Sequence, residues 1–103
     1  MNMTYQHRGA TLWVQLEGEL DHHSAGDCRA VLDEVLGENP EIRQLRVNLC
    51  GLSFMDSSGI GVLIGRYKIL RERKGVVTLY GMNPAVARIV EMAGLKKIMQ
   101  VEG

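Results

Sequence analysis

The segment Phe54-Met55-Asp56-Ser57-Ser58-Gly59-Ile60-Gly61 carries a carboxylate and two hydroxyls where an extended run gives way to a helical pattern. One of the three polar side chains can cap the helix that follows, since Asp and Ser are favoured there. The same junction can present a hydroxyl to a partner, because loops at the carboxyl ends of parallel strands are favoured sites and a helix N-terminus favours a phosphate. Capping accounts for one of the three residues and leaves two over. On residue chemistry alone both readings stand.

Asp21-His22-His23-Ser24 is the second polar cluster. Read as chemistry, it offers metal ligands or the acid and base of a Ser-His-Asp hydrolase. A helical zinc pair needs its histidines at i,i+4, and a hydrolase elbow reads GxSxG; neither spacing is present. Adjacent histidines are expected to diverge, with Asp21 or Ser24 capping a helix and the rings partly exposed. Gly59, Gly61 and Gly65 cluster after a strand, yet a GxGxxG loop needs glycine where Ile64 stands, and no Lys-Ser or Lys-Thr pair completes a P-loop. No cofactor motif is complete. Gly61 and Gly65, four apart, instead predict a helix lying close against its sheet. Arg66 to Lys74 reads as a solvated basic helix face, Trp13 as core, and the six methionines form no helical stripe. Cys28 and Cys50 lack CxxC spacing and read as small buried hydrophobes.

The elements that must position these residues follow from periodicity. Thr4 to His7 reads as an edge strand, turned by Arg8-Gly9-Ala10 into a second strand from Thr11 to Glu17. Ala25, Cys28, Val31, Leu32, Val35 and Leu36 recur at helical spacing until Asn39-Pro40. Leu45 to Leu49 alternates, and a strand placed after a strand and a helix implies a parallel crossover. Ile60, Leu63, Ile64, Tyr67 and Leu70 stripe a second helix from Ser57 to about Arg73. Val76 to Tyr80 is a short β-branched strand between glycines. Asn83-Pro84 predicts an N-cap and first turn, Val86, Ile89 and Val90 a buried face, Gly94 a C-cap, and Ile98 to Val101 a last strand. The expectation is one α/β domain over residues 1–103, a four- to five-stranded mixed sheet packed with α-helices.

Composition excludes several classes. A chain of 103 residues holds one core, and 12 basic against 12 acidic residues leave no field to gather phosphate backbones or anionic lipid, so nucleic acid is not an expected partner. The apolar run from Ile60 to Gly65 is far short of the roughly 18 residues that span a bilayer. Met1 to Arg8 has no apolar signal core, which places the chain in the cytoplasm and makes disulfides unexpected.

Gly18-Glu19-Leu20-Asp21-His22-His23, then Leu52-Ser53-Phe54-Met55-Asp56-Ser57-Ser58-Gly59-Ile60-Gly61, then Gly65-Arg66-Tyr67-Lys68, closely resemble the sporulation anti-anti-sigma factors, STAS domains of the SpoIIAA type. The resemblance runs on through Asn83-Pro84-Ala85-Val86 and Met92-Ala93-Gly94-Leu95-Lys96. It implies a non-enzymatic switch whose unphosphorylated form binds an anti-sigma factor that is itself a serine kinase, freeing a sporulation sigma factor. It implies phosphorylation on Ser57, the serine directly after Asp56, with Ser58 the near competitor and a PP2C-type phosphatase reversing the step. It places Asp21 beside the phosphorylation loop, in contact with the kinase together with Asp56, Ser57, Ser58 and Gly59. Similar proteins usually continue into a further C-terminal helix, whereas this chain stops at Gly103. A stress-response antagonist of the same fold is the alternative within the family. A nucleotide-binding STAS domain is the alternative outside it.

Overall fold

Gly9, in the left-handed region at φ +57°, forms a tight turn with Ala10 between β1 (Asn2–Arg8) and β2 (Thr11–Leu20). The two strands run antiparallel in unbroken register, from Asn2 opposite Glu17 to Arg8 opposite Thr11. There follow α1 (Ala25–Glu38), β3 (Gln44–Met55), α2 (Ser57–Glu72), β4 (Val76–Tyr80), α3 (Pro84–Met92), a 3₁₀ turn (Leu95–Lys97) and β5 (Gln100–Val101). A computed structural model describes all residues from 1 to 103. No helix in it is long and apolar enough to cross a membrane.

Local chemistry explains several boundaries. Asn83 Oδ1 accepts the Val86 N–H at 2.8 Å and Pro84 opens α3, as the Asn-Pro pair predicts; Gly94, at φ +74°, follows the end of that helix. The last strand is only Gln100–Val101, because Ile98 and Met99 bond back to Leu95 in the turn before it. β3 is much longer than the run Leu45–Leu49 that alternates cleanly. Beyond Leu49 its pairing with β2 shifts twice, between Gln15 and Glu17 and between Gly18 and Glu19, and two successive residues face outward at each irregularity. Gly51 sits at the first of these, where a Cβ would meet Glu17 Cγ at 2.6 Å.

The sheet order is β1-β2-β3-β4-β5, with only the first pair antiparallel. Right-handed crossovers that step steadily in one direction lay every helix on the same side. The core therefore lies between one sheet face and the helices: Leu12, Val14 and Leu16 of β2, Leu45, Val47 and Leu49 of β3, and Val77 and Leu79 of β4 point inward and are all buried. The other face stays bare. Trp13 stands there, 37% exposed, rather than in the core, because it alternates out of phase with Leu12 and Val14. Cys50 is exposed for the same reason, whereas Cys28 is buried as expected.

Two basic residues expected on a solvated helix face are structural instead. Arg66 is buried between α1 and α2, its Nε 3.1 Å from Asp33 Oδ1, an ion-pair distance without hydrogen-bond alignment; Nη1 has no partner. Arg73 reaches the far end of α1 and donates to the carbonyls of Leu36 (2.6 Å), Asn39 (3.1 Å) and Ile42 (3.2 Å). A helical stripe shows which residues share a face; it does not show that a neighbouring helix end needs a donor there.

Candidate functional site

The site is built where β2 and β3 end side by side. Leu20 pairs with Met55, and the Leu20 carbonyl accepts the Asp56 N–H at 3.3 Å. Both chains then leave the sheet together, one into the Asp21–Ser24 turn and α1, the other directly into α2.

Asp56 is the N-cap of α2. Its Oδ1 accepts the N–H groups of Ser58 (2.8 Å) and Gly59 (3.2 Å). Its Oδ2 accepts the His22 N–H at 3.1 Å. One carboxylate therefore satisfies two helix-terminal donors and fastens the neighbouring turn. This contact joins residues 34 apart and has no local signal in the sequence.

Ser57 and Ser58 separate cleanly. Ser57 is exposed at the first position of α2, and its hydroxyl makes no hydrogen bond within the chain; Ser58 is half-buried. The Ser58 and Gly59 N–H groups, which could seat an anion, are already bound to Asp56, a feature that the sequence alone does not reveal. Gly59 is buried. A Cβ there would meet the Leu20 carbonyl oxygen at 2.5 Å and the side chains of Met55 and Leu20 at 2.7 and 2.8 Å. The close approach expected of Gly61 and Gly65 belongs to Gly59, for a Cβ at either of the other two meets nothing within 4 Å.

Asp21 closes the turn before α1. Its Oδ1 accepts the N–H groups of His23 (2.9 Å) and Ser24 (3.2 Å) and lies 3.3 Å from Ser24 Oγ. Desolvation pushes the Asp21 pKa up, but those two N–H groups, the Ser24 hydroxyl and the nearby His23 outweigh it and hold the carboxyl below the ordinary aspartate value. Ser24 stands at the N-cap of α1, yet its hydroxyl turns back to donate to the Glu19 carbonyl at 2.8 Å and caps nothing in the helix. The His22 and His23 rings do not diverge: both are exposed, and they meet edge to face with centroids 4.8 Å apart. Beside them Glu19, Asp21 and Asp27 line one recess with Gly18, His23, Ser24 and Met1. The site thus sets an unengaged hydroxyl next to a rigid cap, a histidine-bearing turn and an acidic hollow.

The chain matches the STAS domain family over residues 2–102. It is 38% identical over 101 residues to a protein named anti-sigma F factor antagonist from Paenibacillus polymyxa, covering 98% of this chain and 86% of that protein. It is 33% identical over 89 residues to an anti-sigma-B factor antagonist of Listeria monocytogenes, covering 86% of this chain and 76% of the relative. The fold superposes on the Bacillus cell fate determinant SpoIIAA in its phosphorylated form with a TM-score of 0.77 and 28% identity, over 99% of this chain and 92% of that one. With its whole architecture and the Asp56–Gly59 junction inside the matched region, the chain belongs to the STAS domain family.

Proposed function

We propose that this protein is an anti-sigma factor antagonist that works in the cytoplasm by partner switching. Unphosphorylated, it binds an anti-sigma factor that is an ATP-dependent serine kinase, and so releases a sporulation sigma factor. The kinase transfers phosphate to Ser57: the Ser57 Oγ–phosphorus bond forms as the bond to ADP breaks, and the hydroxyl proton passes to a base on the kinase. A PP2C-type phosphatase then hydrolyses the phosphoserine. The protein is a binding module and a kinase substrate, not an enzyme.

The observation that carries this reading is the exposure of Ser57 at the start of α2, beside a cap that holds the Asp21–Ser24 turn against it. The acidic recess around Asp21 complements a cationic side chain on the kinase. The Ser58 and Gly59 N–H groups are occupied by Asp56, so a phosphate on Ser57 adds about −1.5 to −2 charges beside a carboxylate. Its bulk and charge then fall on the docked partner, while the fold is left intact.

Incubation with candidate anti-sigma kinases and ATP, followed by peptide mapping, tests the reading. Phosphate is expected on Ser57, and Ser57→Ala should bind the kinase but accept no phosphate. Because Asp56 is the cap, that substitution should change stability by no more than about 0.5 kcal/mol. Undiminished labelling of Ser57→Ala on Ser58 would reassign the acceptor, and failure to bind any such kinase would reject the function. The likeness to the Listeria anti-sigma-B antagonist favours a second reading, a stress-response antagonist. Relative affinity for sporulation and stress-response kinases decides between the two.

A further inference from the structure

β1 ends the sheet, and its outer side pairs with nothing. Arg8 faces Thr11 across a two-residue turn, and such a hairpin closes on a hydrogen-bonded pair. Alternation then directs the N–H and C=O groups of Asn2, Thr4, Gln6 and Arg8 toward β2, and those of Met3, Tyr5 and His7 outward. Natural sheets blunt a free edge with proline, lysine, a bulge or brevity. The opposite edge, β5, has only two residues. β1 has seven, with no proline, no lysine and no bulge in its register. Tyr5, at its middle, is 51% exposed.

We propose that two copies of this chain pair antiparallel through β1 about a two-fold axis at Tyr5, joining their two five-stranded sheets into one. In this register all three outward-facing residues both donate and accept: Tyr5 faces Tyr5, and Met3 faces His7. Thr4 then faces Gln6 and Asn2 faces Arg8, so no two like charges meet. Asn2 lies beside Glu17 on β2, which sets Arg8 of the second copy across Asn2 from Glu17, on the bare face. Arg8 and Glu17 are both exposed, and neither is ion-paired within one copy. The two charges stand two strand spacings apart, about 9.6 Å, a gap that an extended arginine and glutamate can bridge over Asn2, and the two-fold axis repeats the arrangement. A chain with 12 basic and 12 acidic residues has no net charge to hold two copies apart. Ser57 follows β3, two strands in from β1, and stays exposed in the pair.

The inference is independent of the proposed switching function and is tested on the purified chain without kinase. Sedimentation equilibrium from low to high micromolar concentration should show a monomer–dimer equilibrium. Arg8→Glu and Glu17→Arg alone should each weaken it about tenfold or more, and the combined Arg8→Glu/Glu17→Arg protein should recover it, since the exchange restores opposite signs. Circular dichroism spectra of the single variants that match the parent's show that they fold, so that a weakened dimer is not an unfolded chain. In a Cys50→Ser background, Tyr5→Cys should form an interchain disulfide under mild oxidation, because paired strands bring these positions within bridging distance. A chain that is monomeric throughout overturns the proposal. So does a dimer that ignores the single substitutions or is not recovered by the exchange.

Discussion

Gly59→Ala should loosen the site from beneath. The added methyl would stand 2.5 Å from the Leu20 carbonyl oxygen, a backbone atom that cannot swing aside and that also accepts the Asp56 N–H. Either α2 lifts from the ends of β2 and β3 or those ends deform. Overpacking of this kind costs about 1–3 kcal/mol. Alanine regains about 0.5–1 kcal/mol over glycine within a helix. The net expectation is a loss of up to about 2.5 kcal/mol, or about 4–8 °C in Tm for each kcal/mol lost. Gly61→Ala is the control, since its methyl meets nothing and only the helical gain of about 0.5–1 kcal/mol applies. Urea unfolding of both variants gives the comparison, and the two should differ by about 1–3 kcal/mol. Under the proposed function, phosphorylation by the anti-sigma kinase should fall for Gly59→Ala beyond its loss of folded protein, because Asp56 and Ser57 move with α2. Equal stability for the two alanine variants would refute the packing argument.

Four other expectations can be checked separately. Asp21→Asn keeps an acceptor for the His23 and Ser24 N–H groups but removes the charge, so calorimetry should find kinase binding weakened at least about tenfold with the fold intact; unchanged binding would leave Asp21 a turn-former only. Because the Asp21 carboxyl is held below its ordinary value, its contribution to stability is present above about pH 3.9 and is lost as the pH falls through the lower folded-state value; the His23 and Ser24 amide signals should titrate together with a midpoint below that pH. Cys50 should react with a thiol reagent at once in the native protein, whereas Cys28, whose pKa burial pushes up to about 11 against the opposing effect of Arg66, should react only on unfolding, as counted by mass spectrometry. Arg73→Ala strips donors from three carbonyls in the last turn of α1 and the loop just beyond it and should cost on the order of 2–4 kcal/mol in urea unfolding, which Arg73→Lys recovers only in part.

Features written into neighbouring residues were legible in the sequence. Asn83-Pro84 marks the start of α3, Gly75 and Gly81 bracket β4, and Ser57 opens α2 as the stripe of apolar residues predicts. The end of β3 was legible as the extended run before Asp56, but the stretch that joins it to Leu45–Leu49 was not, since its two irregularities break the alternation by which a strand is recognised. Trp13 and Cys50 were misplaced for a different reason. Alternation separates two faces of a strand but is silent on which of them a helix will cover, and that depends on the strand order of the whole sheet. Within the site, the hydroxyls and carboxylates were visible as candidates. The bond from His22 to Asp56, the ranking of Ser57 above Ser58 by exposure, and the choice of Gly59 over Gly61 all depend on how the ends of β2 and β3 come together.

The order of the strands also bears on how the chain acquires its shape during synthesis. Each strand is laid down outside the one before it, and none has to insert between two already paired. The hairpin of β1 and β2 can close as soon as it leaves the ribosome, and each following helix and strand docks on an edge already formed. Assembly can therefore keep pace with translation from the amino end, with no early segment held open for a late one. The Asp56–Ser57 junction is complete once α2 has docked, before α3 and β5 have been made. Every edge exposed along the way is covered by the next strand to emerge, except the two that end the finished sheet, the long one of β1 and the two-residue one of β5.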